Sequence, residues 1–356
     1  MNTAFWHNKN VLVTGHTGFK GSWLSLWLQH LGAKVTGYSL EPATQPSLFE
    51  QANLSDDMHS IVGDIRDLPR LQEVFNKVQP DIVFHLAAQA LVRESYTDPV
   101  TTYTTNVIGS LNVLEATRHT PSVRAVVMVS TDKCYDNKEW SWGYREIDPL
   151  GGHDPYSSSK GCMEIMLASY RSSYFSADTY AEHRTAIASA RAGNVIGGGD
   201  WAKDRLIPDI VSHINRKQDI TLRYPNAIRP WQHVLEPLSG YMRLAELLFL
   251  DGCEYAQSWN FGPEEHSAKS VKWIADYLLK QSNSDINIII KDQEQPHEAA
   301  YLKLDCSKAA MILNWRPKWG LPEALDKVLS WLPTHHSSAR DNCLKQITEF
   351  TNVKLQ

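Results

Sequence analysis

Tyr156 and Lys160 stand four residues apart in the run YSSSK. On a helix those positions share a face, so an ammonium can lie beside a phenol and beside whatever the phenol acts on. A free phenol loses its proton near pH 10, and moving that toward neutrality takes roughly 4 kcal/mol of preferential stabilisation of the phenolate. Lys160, with a second cation beside it, is the natural source of that field. Among 14 tyrosines this is the single YxxxK in the chain. About one would be expected by chance, so its position has to decide its meaning. It follows a β-rich run that ends in Ser130 and Thr131 and continues as STDKCYD. Thr131, Asp132 and Lys133 there set a hydroxyl, a carboxyl and an amine side by side. The plain reading of that trio is a solvated turn. The chemical reading is an acid and a base, with Lys133 neutral; burial or nearby positive charge is what neutralises a lysine.

The second cation is suggested at the other end of the chain. TGHTGFKG at 14–21 sets Gly15, Gly18 and Gly21 between a strand pattern and a helix pattern. Such glycines allow a tight turn, close approach of backbone to a pyrophosphate, and unpaired helix N–H groups aimed at it. Thr17 and Phe19 flank that turn. Further on, Asp64 and Ile65 close a third strand, where a carboxylate can accept from an adenine amino group. Leu86, Ala87 and Ala88 in HLAAQ end a fourth strand with side chains mostly small enough for a cofactor. Asn106 lies on the next helix. Each has a plain reading as a cap, as packing or as a satisfied amide; together they outline a dinucleotide site. Ser39 and Glu41 follow the second strand with no Arg or Lys nearby for a 2′-phosphate, which favours NAD over NADP. Within the glycine loop, His16 is expected to crowd the pyrophosphate. Lys20 could attract it, so the sign of its effect is open.

Positioning these groups requires alternating strands and helices. Strand patterns occupy 11–14, 35–40, 61–64, 82–87, 126–131 and 186–190. Helix patterns occupy 21–31, 68–78, 100–118 and 155–174. Near-continuous apolar strands joined by helices imply an α/β fold, a Rossmann-type doubly wound parallel sheet covered on both faces. After Arg191 the regularity breaks into Gly-, Pro- and Trp-rich loops at 193–201 and 224–231. Helices resume at 237–249, 271–279, 307–313 and 322–332. The expected division is a dinucleotide-binding domain over 1–190, with about 233–262 returning to it. A smaller mixed α/β substrate-binding domain is expected from 191–232 and 263–356.

The order TGxxGxxG, HLAA, STD and YxxxK resembles the extended short-chain dehydrogenase/reductase family over essentially the whole chain. Within it STDKCYD is similar to the nucleotide-sugar 4,6-dehydratases, although most of those carry Glu where this chain has Lys133. That lysine, with GHTGFKG and RPWQHVLEPLSGY, resembles the members that act on CDP-glucose. The resemblance implies oxidation at C4 of the sugar with Tyr156 taking the hydroxyl proton and Thr131 bonding the oxygen. It implies removal of the C5 proton by Lys133, loss of the C6 hydroxyl with Asp132 as acid, and regeneration of NAD. It also implies substrate contacts at Asn194, Arg205 and Arg229, where guanidinium forks suit phosphate oxygens. Trp231, Gln232 and His233 are expected to shape the nucleotide pocket, Arg93 to face the sugar, and Glu298 and Tyr301 to make late substrate contacts. Related enzymes pair the helices near 100–118 and 155–174, so a homodimer or a dimer of dimers is expected.

Composition is consistent with this. The chain has 356 residues, 42% of them hydrophobic and 21% charged, and a net charge of −5 without long like-charge runs. Neither nucleic acid nor membrane is suggested as a partner. No apolar stretch reaches the roughly 18 residues of a membrane helix. Five scattered cysteines without CxxC spacing predict no metal site and a reducing cytoplasm. Two other readings compete: an epimerase or a dehydratase for another nucleotide, and a non-catalytic NAD-binding regulator. A simple C4 epimerase has no need of Asp132 and Lys133. A regulator has no need of intact Thr131, Tyr156 and Lys160.

Overall fold

The structure, a computed structural model, describes residues 2–203, 205–222, 224–290, 301–332 and 337–353. Seven strands form the main sheet: β1 (Asn10–Thr14), β2 (Lys34–Ser39), β3 (His59–Val62), β4 (Ile82–His85), β5 (Ala125–Val129), β6 (Ala186–Ala192) and β7 (Ser258–Phe261). Their order is β7-β6-β5-β4-β1-β2-β3 and every pairing is parallel. The doubly wound expectation is therefore met. Strand order reverses between β1 and β4, and in open parallel sheets ligands bind outside the carboxyl ends of the strands at such a reversal.

Alternation along the strands assigns each side chain to a face. Val11, Val13, Ile82, Phe84, Val127 and Ala188 join one apolar core; Leu12, Val83, Val126, Met128 and Ile187 join another. The first core is covered by α1 (Phe19–His30), with Trp23 and Trp27 fully buried, and by a long helix, Leu235–Asp251. The second is covered by α2 (Leu68–Val78), by the helix ending at Arg118, and by α4 (Pro155–Ser173). A third core joins Ile207, Ile210, Val211, Leu222, Trp231, Ile274, Leu278, Leu321 and Leu325, all beyond the main sheet's first six strands.

Local signals set where the elements begin. Asp154 caps α4 by accepting from the Ser157 N–H, and Pro155 sits at the first helical position, where its missing N–H costs nothing. That cap fixes Tyr156 in the first turn and Lys160 one turn later. Several expected boundaries move. β3 ends at Val62, β4 at His85 and β5 at Val129, so Asp64, Ala87 and Thr131 stand in the loops just past their strands. The expected helix 100–118 begins at Pro99 and is interrupted by a π-helical stretch, Thr104–Gly109, before α3 (Ser110–Arg118). Helix α5 (Leu206–Arg216) lies between the two expected loops, where no element was predicted; its apolar face is regular, and Pro208 is tolerated in its first turn. A last helix, Ala339–Asn352, opens with a capping box of Ser338 and Asp341. It packs Phe350 edge-on against Trp27 of α1, with ring centroids 5.7 Å apart.

One ion pair crosses this architecture. Glu164 of α4 accepts from Arg191 of β6 through two bonds, Nε to Oε1 at 2.9 Å and Nη2 to Oε2 at 2.8 Å. The side chains are 1% and 3% exposed, respectively, so water does not compete for either. Ser189 and Ser258 donate to the same carboxylate, and Arg191 also donates to Tyr135 Oη at 2.8 Å. Removing one member of such a pair strands a buried charge, which costs about 3–5 kcal/mol. Arg191→Met is therefore expected to lower the unfolding free energy by about that amount in urea titration. Adding Glu164→Gln to it should recover part of the loss; a single variant as stable as wild type would show that the pair carries no such constraint.

Candidate active site

The loop after β5 brings the reactive trio together. Thr131 accepts from the Lys133 N–H at 3.3 Å, closing a short turn over Asp132–Cys134, and donates to Asp132 Oδ1 at 3.0 Å. Asp132 is 2% exposed and its Oδ2 has no protein partner. Burial raises its pKa against the pull of Lys133, Thr131 and Arg229, so the acid form persists above the usual carboxyl range. Tyr156 faces this loop from the first turn of α4. Burial pushes its phenol up to about 12, while the Thr131 hydroxyl acts the other way. Lys160, also buried, donates from Nζ to the Val129 carbonyl at 3.0 Å, which anchors it at the end of β5. Desolvation lowers its pKa to about 8, with Glu164 opposing.

The glycine loop lies between β1 and α1. Gly15 has φ +75°, and a Cβ there would lie 2.7 Å from the Ala87 nitrogen, so the loop and HLAAQ meet at backbone distance. Gly18 caps α1 with no side-chain bond. The first-turn N–H groups are thus left for an anion, which fits a dinucleotide pyrophosphate. Thr17 Oγ1 lies 2.9 Å from Ser39 Oγ and donates to the Leu40 carbonyl. Beneath the loop a directional chain sets the geometry. Ser110 donates to the Asn106 carbonyl at 2.7 Å, so His85 must carry its hydrogen on Nε2 to reach Ser110, and its Nδ1 accepts from Thr14. Asn106 in turn accepts from the Gln89 N–H and donates to the Gln89 carbonyl and to Ser159 Oγ. It ties the HLAAQ loop to α4, a buried amide with every group satisfied. Asp64 differs from the simplest expectation: both carboxylate oxygens are taken by Arg66, which holds its pKa low. Ile65 is buried against Gly109.

His16 does not act as expected. Its ring is fully buried, bonds Ser60 Oγ through Nε2 at 2.7 Å, meets the Phe49 ring edge-on, and fills the space above Gly37. The imidazole is a core group held neutral, its pKa pushed down to about 4 by burial. Lys20, like Phe19, lines the working cavity.

That cavity, about 350 Å³, is lined by Phe19, Lys20, Arg93, Thr131, Asp132, Lys133, Tyr156, Asn194, Arg205, Arg229 and Trp231. The structure thus unites most of the expected catalytic and substrate residues on one wall-to-wall surface. Arg205 pairs with Asp200 at 2.8 Å, a carboxylate the sequence reading passed over inside GGGDW. Gln232 and His233 are corrections. Gln232 donates to the Phe261 carbonyl, and His233 is 0% exposed between Trp23 and Trp319, so both hold the core under the pocket. They follow Trp231 in sequence, but their short strand, Gln232–His233, pairs with Val195–Ile196 and turns them inward. Tyr301 is a correction too: it bridges Ile228, its ring lies under Lys303 and its hydroxyl donates to the Ser141 carbonyl, outside the cavity lining. Glu298 lies outside the described residues. No cluster of three potential metal ligands occurs among the described residues.

Comparison with known proteins follows the same lines. The family model of GDP-mannose 4,6 dehydratase matches residues 12–328. A CDP-glucose 4,6-dehydratase of Salmonella typhimurium is 53% identical over 327 residues, covering 92% of this chain and 91% of that one. In fold, the chain is similar to a UDP-glucose 4-epimerase of Thermotoga maritima (TM-score 0.78, 22% identity, covering 90% of this chain and 97% of that one). It is also similar to a dTDP-glucose 4,6-dehydratase of Bacillus anthracis (TM-score 0.73, 22% identity, covering 90% and 95%). With its glycine loop, its YxxxK helix and its Thr-Asp-Lys wall in one cavity, the chain belongs to the GDP-mannose 4,6 dehydratase family.

Proposed function

We propose that this chain removes water from a nucleoside-diphosphate hexose, with CDP-glucose as substrate and NAD as cofactor, leaving a 4-keto-6-deoxy sugar. The observation that carries the reading is the meeting of Tyr156 with Thr131, Asp132 and Lys133 in one cavity. An ordinary alcohol dehydrogenase has work for the first two only. The substrate is favoured by the 53% identity to the Salmonella typhimurium enzyme.

The uncapped start of α1, the Gly15–Ala87 approach, Ser39, Ile65 and Asp64 would hold NAD, which when bound would supply the acceptor for the C4 hydrogen with its electron pair and the donor of both to C6. The protein's own groups handle the protons. Tyr156 takes the proton of the C4 hydroxyl, helped by the Lys160 charge, while Thr131 bonds the C4 oxygen. A ketone at C4 acidifies the C5 hydrogen. Lys133 removes it. Burial favours the acid form of Asp132, which protonates the departing C6 hydroxyl, and this leaves as water. The proton left on Tyr156 restores Asp132 through solvent, and Lys133 returns its proton to C5. Atoms balance as loss of one water.

The same proposal takes residues 1–190 with 233–262 as the cofactor-holding part and the rest chiefly as the sugar-nucleotide part. It takes the assembly as a homodimer or dimer of dimers, supported by Val100, Tyr103, Ile108 and Ile165 exposed along the helices of 99–118 and 155–173. It places the enzyme in the cytoplasm, in a deoxysugar route to a cell-surface polysaccharide such as O-antigen.

Purified protein supplied with NAD should turn CDP-glucose into a product absorbing in alkali as a 4-keto sugar, and should do so faster than with dTDP-, GDP- or UDP-sugars. Oxidation without water loss would instead mark an ordinary dehydrogenase. Tyr156→Phe should lower turnover about 10²–10⁴-fold with NAD affinity retained, measured by steady-state rates and cofactor titration; near-normal turnover would remove the proposed base. Lys133→Met should abolish deuterium exchange at C5, whereas Asp132→Asn should keep the exchange and lose water elimination. Asp132→Asn should also raise the melting temperature near pH 7. The folded pKa of Asp132 is raised, so wild type carries a buried-charge penalty at high pH that disappears as pH falls toward 3.8, and the variant's advantage should vanish with it.

A further inference from the structure

Lys20 is the second residue of α1, two places after Gly18, which caps the helix with no side-chain bond. Its main chain belongs to the cofactor loop, yet its side chain lines the cavity that holds Asp132, Tyr156, Arg205 and Arg229. The ammonium makes no hydrogen bond or ion pair with any described residue. The nearby carboxylates are otherwise engaged: Asp200 holds Arg205 and the Ala202 N–H, and Asp132 is kept toward its acid form by burial. The ammonium thus lines a polar space in which no described residue receives its hydrogens. Lys160 and Arg205 add like charge around the same point, and with desolvation they bring the Lys20 pKa down to about 8. A cation left in that position is unfavourable until an anion arrives.

From this geometry we propose that Lys20 is a substrate-binding residue that takes a phosphate oxygen of the nucleoside diphosphate, beside Arg205 and Arg229. A sugar hydroxyl is the weaker partner, because a neutral oxygen cannot offset the mutual repulsion of Lys20, Lys160 and Arg205, whereas a diphosphate dianion can. The proposal rests on the nucleotide-sugar reading above and adds to it the residue that senses the diphosphate. One residue then serves two ligands: its first-turn N–H faces the cofactor loop and its ammonium faces the substrate. Placing the positive charge on the substrate side leaves NAD affinity to the backbone.

The test is titration of the NAD-loaded enzyme with CDP and with cytidine, in wild type, Lys20→Met and Lys20→Arg, with NAD affinity measured alongside. The expected result is a roughly 10- to 100-fold loss of CDP affinity in Lys20→Met, the range of a charge-assisted hydrogen bond. Cytidine and NAD affinities should stay within about twofold, and Lys20→Arg should recover much of the CDP affinity. Equal CDP binding by wild type and Lys20→Met would overturn the role of Lys20. An equal loss for NAD would overturn it in another way, assigning the charge to the cofactor. If wild type binds neither CDP nor any other nucleoside diphosphate, the nucleotide-sugar reading itself falls.

Discussion

The carboxylate of Glu164 and the guanidinium of Arg191 meet where water does not reach, and the placement of the reactive groups follows from that meeting. Tyr156, Lys160 and Glu164 lie at i, i+4 and i+8 of one helix, so fixing Glu164 fixes the azimuth of the other two. Arg191 lies in β6, two residues before the loop that carries Asn194. Its third donor reaches Tyr135, whose hydroxyl continues to Asn260 of β7, and Asn260 holds the Tyr144 carbonyl and the Glu146 carboxylate through its own donors. The segment between Asp132 and Glu146 is thereby pinned at one end by the ion pair and along its length by its neighbours. A fork with five donors suits this task because it can bind a carboxylate, a phenol and a carbonyl at once.

Much of this was legible in the sequence for a physical reason. Strands buried on both faces are apolar throughout, glycine loops have few alternative uses at a strand–helix junction, and a YxxxK step has one geometry on a helix. The glycine loop and the Tyr156–Lys160 step could be anticipated on those grounds, whereas Thr131, Asp132, Asn194, Arg205 and Arg229 were placed in the site by the family resemblance, and one cavity brings them together with Tyr156. What could not be read is which way a side chain turns when its backbone pairs unexpectedly. Gln232 and His233 look like pocket residues beside Trp231, and only their pairing with Val195–Ile196 shows that they face Trp319 and Phe261. His16 was misjudged for the same reason. Its contacts lie across the sheet, on Phe49 and Ser60, and no local pattern announces them. Glu164 carried a readable sign, since a carboxylate one turn beyond Lys160 on the inner face needs a cation, and Arg191 near the end of a strand of small, mostly apolar residues needs an anion.

Around the site, desolvation acts on positive and negative groups alike. Asp132 is buried with one oxygen unmatched and held toward its neutral form. Lys160 is buried and Lys20 half-buried, and desolvation draws each toward its neutral form, with a pKa of about 8. Desolvation thus moves the carboxyl and the two ammonium groups in the same sense, toward their uncharged forms.

The packing of the final helix on α1 has a consequence for how the molecule is made. Trp23 and Trp27 of α1 share their core with Phe350, Ile347 and Cys343 of the helix Ala339–Asn352, which a ribosome makes much later. Until then the first β-α unit, with its anion-binding turn, has an unfinished apolar flank. A nascent chain can form that turn early but cannot seal the core behind it until the helix Ala339–Asn352 has been made. A chain cut before Ala339 would carry every catalytic side chain named above and leave tryptophan surface bare to water.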